Sequence, residues 1–195
     1  MSRFIESICF KDNRYQLIDL HQERINATYS QFFPTHSPIK LRSILPEISG
    51  NEKRKVRLIY DSNQHKIEVQ LYKQKNIDSL KLIIDHQIHY AYKYEDRNQI
   101  NRLLHQFPDF DDIIVIVDNC ITDSSYANLT FWNGQKWVTP STYLLNGVKR
   151  QHLLNNHKII ESTIHPEDIQ QFEKVSLINA MLDPGELCLD INKIS

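Results

Sequence analysis

Apolar positions along this chain fall mostly in short alternating runs, the two-residue period of strands, interrupted by a few stretches at helical spacing. Arg3 to Phe10 and Tyr15 to Ile18 read as strands around Lys11-Asp12-Asn13-Arg14, whose Asp-Asn pair suits a tight turn. Asp19 then stands where it can cap a helix running to Phe33, with Gln22 completing a capping box and Pro34 closing the element. Residues 55–60 and 66–72 are two further strand-like runs, and 73–78 form a polar linker. Beyond it the pattern alternates: a strand over 79–85, a helix over 95–106 and a buried strand over 112–117. A hairpin of 127–132 and 135–139 follows across Asn133-Gly134, then a helix over 147–156, a strand over 158–163, a helix over 166–172 behind Pro166, and a strand over 175–179. The pattern predicts an α+β protein with a small α/β domain over 1–76 and a larger α/β domain over 77–195.

Composition narrows the functions this pattern can serve. With 195 residues, 41% apolar and 24% charged, the chain can bury a proper core and is not of the disordered class. Twenty-three Lys+Arg against 24 Asp+Glu give a net charge of −1, so no global basic field points to nucleic acid or an anionic membrane. The longest apolar runs, such as Ile113 to Val117, are far too short to span a bilayer, and Arg3 and Glu6 interrupt the first ten residues, so neither a membrane span nor a signal peptide is expected. Cys9, Cys120 and Cys188 are odd in number and far apart, which suits reduced thiols in a cytoplasm. Only four glycines occur, at 50, 134, 147 and 185, with no cluster of the Rossmann or Walker A kind. A phosphate handled by this chain would have to meet a helix start or a side chain.

Several pairs carry little chemistry. His86 and His89 face opposite ways on an extended segment and lack companions at metal-ligand spacing, so no metal is expected. Cys120 behind a buried strand reads as a small apolar filler, and Tyr90, Tyr92 and Tyr94 lack the basic run that base stacking requires. Three other pieces make sense together. Lys93 stands among tyrosines ahead of a helix, where aromatic neighbours can desolvate an amine of the Schiff-base kind. Asp123 follows the buried strand, and Gly147 opens a helix whose N–H groups attract phosphate. Amine, carboxylate and anion cradle are the contacts that pyridoxal phosphate requires. Singly, each also reads as a solvated lysine, an Asx turn or a plain turn.

Their order resembles the class IV aminotransferase family, the fold-type IV pyridoxal-phosphate enzymes. Glu6-Ser7-Ile8 and His21-Gln22-Glu23-Arg24-Ile25 are similar to the family's F-E-T-I strand and H-x-x-R-L helix, whose arginine binds the cofactor phosphate; the resemblance gives Arg24 that role. Lys93-Tyr94-Glu95-Asp96-Arg97 resembles the segment whose lysine holds the cofactor covalently. Residues 112–118 and 121–129 are similar to the family's D-E-x-L-L-L-D and V-T-E-x-x-x-x-N-L/I-F, with Asp123 in the place of the glutamate that faces the pyridine nitrogen and Asn128 five residues on. Asn146-Gly147-Val148-Lys149-Arg150 resembles the G-I-T-R turn, and Ile178-Asn179-Ala180-Met181 the second phosphate turn, which implies phosphate contacts from the N–H groups of Val148, Lys149, Asn179 and Ala180. Arg97, four residues after the lysine, together with Asn-Gly-Val-Lys-Arg-Gln and Asn-Ala-Met, looks more like the aminodeoxychorismate lyases, and implies that Arg97 binds a substrate carboxylate.

The resemblance implies a fold-type IV enzyme using pyridoxal 5′-phosphate on a small-molecule amino substrate, active in the cytoplasm as a homodimer. Its implied reaction is elimination of pyruvate from 4-amino-4-deoxychorismate to leave 4-aminobenzoate, in folate biosynthesis. The alternatives are an aminotransferase of D-amino or branched-chain amino acids and a non-catalytic relative of the fold. Two departures stand out: aspartate replaces glutamate at position 123, and the lysine arrives early, so the small domain is shortened.

Overall fold

The computed structural model describes residues 2–195. The chain forms two compact units: residues up to 73 together with 92–96, and 74–91 together with 97–195.

In the first unit, β1 (Phe4–Lys11) turns through Asp12 and Asn13, both at positive φ as a tight hairpin turn demands, into the short β2 (Arg14–Tyr15). Helix α1 (Ile18–Phe32) and the single turn α2 (Leu41–Ile44) precede β3 (Arg54–Tyr60) and β4 (His65–Leu71). The sheet is antiparallel in the order β2-β1-β3-β4. Alternation along β1 puts Phe4, Ile8 and Phe10 into a core with Ile25, Tyr29, Leu41, Val56, Leu58 and Tyr60. The expected capping box at Asp19 does not form. Leu17 occupies the cap position in a left-handed conformation, and Gln22 instead accepts from Leu41 N–H at 2.8 Å and donates to Ile39 O at 2.8 Å, fastening the segment after the helix.

Residues 92–96 run beside β1 rather than starting a helix. Ile5 N–H donates to Lys93 O and Glu95 N–H to Arg3 O, each at 2.9 Å, and Phe4 bridges Tyr94. A non-local strand partner thus overrides the helical signal.

The second unit holds β5 (Leu80–Ile84), α3 (Asn98–His105), β6 (Asp112–Val117), β7 (Cys120–Ser124), β8 (Asn128–Trp132) and β9 (Trp137–Pro140). These are followed by α4 (Val148–Asn155), β10 (Ile160–Ser162), a 3-10 turn (Pro166–Gln171), β11 (Lys174–Ile178) and β12 (Cys188–Asp190). The sheet runs β10-β9-β8-β7-β6-β5, with β11 added to β8 and β12 to β11. Two strands were not expected from the pattern, β7 and β12. β7 pairs with β6 through a turn in which Asp118 and Asn119 both have positive φ, so Asp123 lies within a strand instead of after one. No helix among the described residues is long and apolar enough to cross a membrane.

Candidate active site

The hairpin of β7 and β8 explains the five-residue spacing of Asp123 and Asn128. Ser124 N–H donates to Ala127 O at 2.9 Å, closing a turn that sets Asp123 directly across from Asn128. Asn128 Nδ2 donates to Asp123 Oδ1 at 2.7 Å and to Leu145 O at 2.8 Å. Asp123 Oδ2 accepts the backbone N–H groups of Leu144 at 3.0 Å and Leu145 at 2.9 Å. The carboxylate is therefore buried on three neutral donors, and burial pushes its pKa up to about 6 against their opposing effect.

Gly147 caps α4 with φ −67° and ψ 143°, a conformation any residue adopts. Its glycine is required by space: a Cβ there would lie 2.1 Å from Asn128 Oδ1. The N-terminus of α4, with Val148 and Lys149, so lies against the group that holds Asp123. Lys149 Nζ reaches Asp183 Oδ1 at 2.6 Å, tying α4 to the turn that begins at Asn179. Arg150, almost fully buried, donates to Pro140 O at 2.9 Å, to Asn146 Oδ1 at 3.3 Å and to Glu161, and its guanidinium lies 4.5 Å from the centre of the Tyr143 ring. It thereby pins the loop from Pro140 to Asn146 that presents Leu144 and Leu145.

One expected donor is already committed. Asn179 N–H donates to Leu182 O at 3.2 Å and its Oδ1 accepts from Met181 N–H at 2.8 Å, because the segment closes as a tight turn. The expectation that the Asn179 N–H faces a phosphate is thus corrected: it is turned to Leu182 O. Arg97 sits at the N-terminal cap position of α3 and donates through Nη2 to Ser125 O, two residues from Asp123.

In the first unit, Arg24 is bound into a buried cluster. Its Nε donates to Glu6 Oε1 at 2.8 Å and its Nη2 to Glu6 Oε2 at 2.5 Å, while His21 Nδ1 lies 2.6 Å from Glu6 Oε2. Glu6 and His21 are fully buried. Burial alone would raise the Glu6 carboxyl, but Arg24 and then His21 outweigh it and bring it down to about 2. Burial lowers the pKa of His21, so the ring is neutral with its proton on Nδ1 facing the carboxylate. Glu6 was not singled out from sequence as a partner of Arg24. The available signal was its place between Phe4 and Ile8, which puts a charge on the core face of β1.

Lys93 is half-buried on the segment beside β1. Tyr92 and Tyr94, expected to surround its amine, pack instead on Phe32 and Phe4, and Tyr94 N–H donates to Tyr92 O at 2.9 Å, closing a tight turn centred on Lys93. Tyr90 packs in the second unit against the core of Ile83, Ile100 and Ile113.

This geometry agrees with the comparisons. The family model for class IV amino-transferases matches residues 106–184, within the second unit. An uncharacterised protein of Haemophilus influenzae is 34% identical over 186 residues, spanning 93% of this chain and 98% of that protein. The crystal structure of a candidate 4-amino-4-deoxychorismate lyase from Haemophilus somnus 129PT superposes with a TM-score of 0.87 at 30% identity, over 93% of this chain and 97% of that one. A hypothetical aminotransferase from Mycobacterium tuberculosis, solved in a PLP-bound form, has a TM-score of 0.70 at 12% identity, over 100% of this chain and 81% of its own, a likeness of fold. With near-complete mutual coverage at 30% identity and a family model seated on the unit that holds Asp123, Asn128 and Gly147, the chain belongs to the class IV aminotransferase family and has its fold-type IV architecture.

Proposed function

We propose that this protein is a pyridoxal 5′-phosphate enzyme that converts 4-amino-4-deoxychorismate to 4-aminobenzoate and pyruvate. The observation that carries the cofactor is Asp123, a buried carboxylate whose three hydrogen-bond donors are all neutral. A protonated pyridine nitrogen would supply a charged hydrogen-bond donor, where the Arg150 cation now acts on the carboxylate without a hydrogen bond. The start of α4, which no side chain caps, suits a phosphate, since helix-terminal N–H groups and the macrodipole favour an anion there.

When bound, the cofactor supplies an electron sink for bonds at the substrate's amino-bearing carbon. The chain supplies the rest. Asp123 would hold the proton on the ring nitrogen, and Asn128 with the Leu144 and Leu145 N–H groups keeps that carboxylate in place. By the resemblance, the N–H groups of Val148, Lys149 and Ala180 would receive the phosphate, and the Arg24 guanidinium would bind it as well. Lys93 Nζ would hold the cofactor, and its amine would take and return protons at the substrate. Arg97 orients a substrate carboxylate, for which a planar guanidinium is suited.

Support for the lyase over transamination comes from Arg97 four residues after Lys93, and from the relative at 30% identity described as a candidate lyase. The resemblance also carries a cytoplasmic homodimer, which sedimentation of the purified protein tests. The activity is tested by adding pyridoxal 5′-phosphate to the purified protein and recording visible absorption, with borohydride trapping mapped to Lys93 and Lys93→Ala as control. Release of 4-aminobenzoate and pyruvate from aminodeoxychorismate is the expected result. Turnover of D-amino or branched-chain amino acids without pyruvate release would move the protein to the aminotransferases, and a colourless protein without adduct would mark a non-catalytic relative.

A further inference from the structure

We infer that Glu6 and His21 are positioning residues that lock the Arg24 guanidinium, and that this lock makes the first unit selective for a phosphorylated over an unphosphorylated pyridoxal. The inference rests on the role proposed above for Arg24. Glu6 has two carboxylate oxygens and meets three donors: Arg24 Nε at 2.8 Å, Arg24 Nη2 at 2.5 Å and His21 Nδ1 at 2.6 Å. A fork on both Nε and Nη2 fixes the guanidinium plane, and with it the direction of the Nη1 edge. Arg24 and His21 are three residues apart and share one face of α1, while Glu6 reaches them from β1, so strand and helix jointly define the orientation.

His21 serves this fork without adding a second buried cation. Its ring is fully buried, and Nε2 has no hydrogen-bond partner among the described residues. A neutral ring with its proton on Nδ1 donates to Glu6 Oε2 and leaves the carboxylate's charge to Arg24. An arginine held only by solvent would sample many rotamers and lose that freedom on meeting a phosphate; one already locked does not.

The ratio of dissociation constants for pyridoxal and pyridoxal 5′-phosphate isolates this role, because damage to the fold weakens both ligands together whereas a misaimed Arg24 weakens only the phosphorylated one. Both constants are measured by equilibrium dialysis on wild type, Glu6→Gln, His21→Leu, His21→Asn and Arg24→Ala. Glutamine offers a single acceptor oxygen to three donors, so E6Q is expected to lower the ratio by about tenfold or more while pyridoxal binding is unchanged. His21→Leu is expected to lower it in the same direction, and His21→Asn, whose amide N–H can replace Nδ1–H, to restore most of it. Should E6Q not fold, the two His21 variants decide the matter. A ratio unchanged in E6Q and His21→Leu, or equal weakening of both ligands, overturns the inference while Arg24→Ala still lowers the ratio. If Arg24→Ala leaves the ratio unchanged, the phosphate role of Arg24 itself fails.

Discussion

A Cβ placed on Gly147 would lie 2.1 Å from the side-chain oxygen of Asn128, so the first turn of α4 and the carboxylate holder on β8 are in direct contact. Gly147→Ala must push Asn128 aside, breaking its bonds to Asp123 Oδ1 and Leu145 O. A loss of about 1–3 kcal/mol in denaturant unfolding is expected, together with weaker binding of pyridoxal 5′-phosphate.

Asp123 gives the cofactor-free protein a distinctive pH dependence. Its carboxyl is raised to about 6, above the unfolded reference of 3.8, so the folded state holds this proton more tightly than the unfolded chain. Stability should rise as pH falls through 6 towards 4, and above 6 the buried charge costs on the order of 3 kcal/mol. Thermal unfolding between pH 4 and pH 8 should show this slope in wild type and a flatter one in Asp123→Asn.

Glu6 has the opposite sign. Its carboxyl is lowered to about 2 from 4.5, so its stabilising contribution is complete above 4.5 and is lost as pH falls towards 2. Glu6→Gln should therefore weaken acid sensitivity below pH 4.5. At neutral pH, where it leaves Arg24 without its buried partner, a loss of about 3–5 kcal/mol in denaturant unfolding is expected.

Lys149 and Asp183 join α4 to the Asn179 turn. Asp183 is more than half exposed, so breaking the pair should cost only about 1 kcal/mol or less in stability. The larger effect is expected on ligand affinity, since the two backbone turns lose their tie. A double-mutant cycle of Lys149→Met and Asp183→Asn, read in cofactor dissociation constants, should be strongly non-additive.

These predictions rest on contacts of unequal visibility in the sequence. Asp123 and Gly147 could be picked out as a carboxylate near a strand end and a glycine at a helix start, and Asn128 through the family resemblance; the hairpin that sets Asn128 opposite Asp123 is the structural reason for their spacing. Yet the strand carrying Asp123 was hidden. Cys120–Ser124 is polar in sequence, and its burial becomes tolerable only through partners elsewhere, as where Thr122 Oγ1 donates to Val115 O at 2.7 Å. The same holds for residues 95–97, helical by pattern but left outside α3 because 92–96 pair with β1. The Glu6–Arg24 fork spans 18 residues and two elements, so no local period announces it. At Asp19 the local rule failed because Gln22 found better acceptors and donors in the segment around Leu41.

The excursion of residues 92–96 into the first unit means that the chain passes between units at 73/74, 91/92 and 96/97. A single nick in the polar stretch 74–79 therefore does not release an independent N-terminal piece. The downstream fragment keeps a segment bonded to Arg3 and Ile5, and two separately expressed fragments are expected to reassemble by restoring those bonds. The lysine proposed to anchor the cofactor is thus contributed by the later fragment to the sheet of the earlier one, which makes reassembly of a split protein directly visible as recovery of a borohydride-trapped adduct.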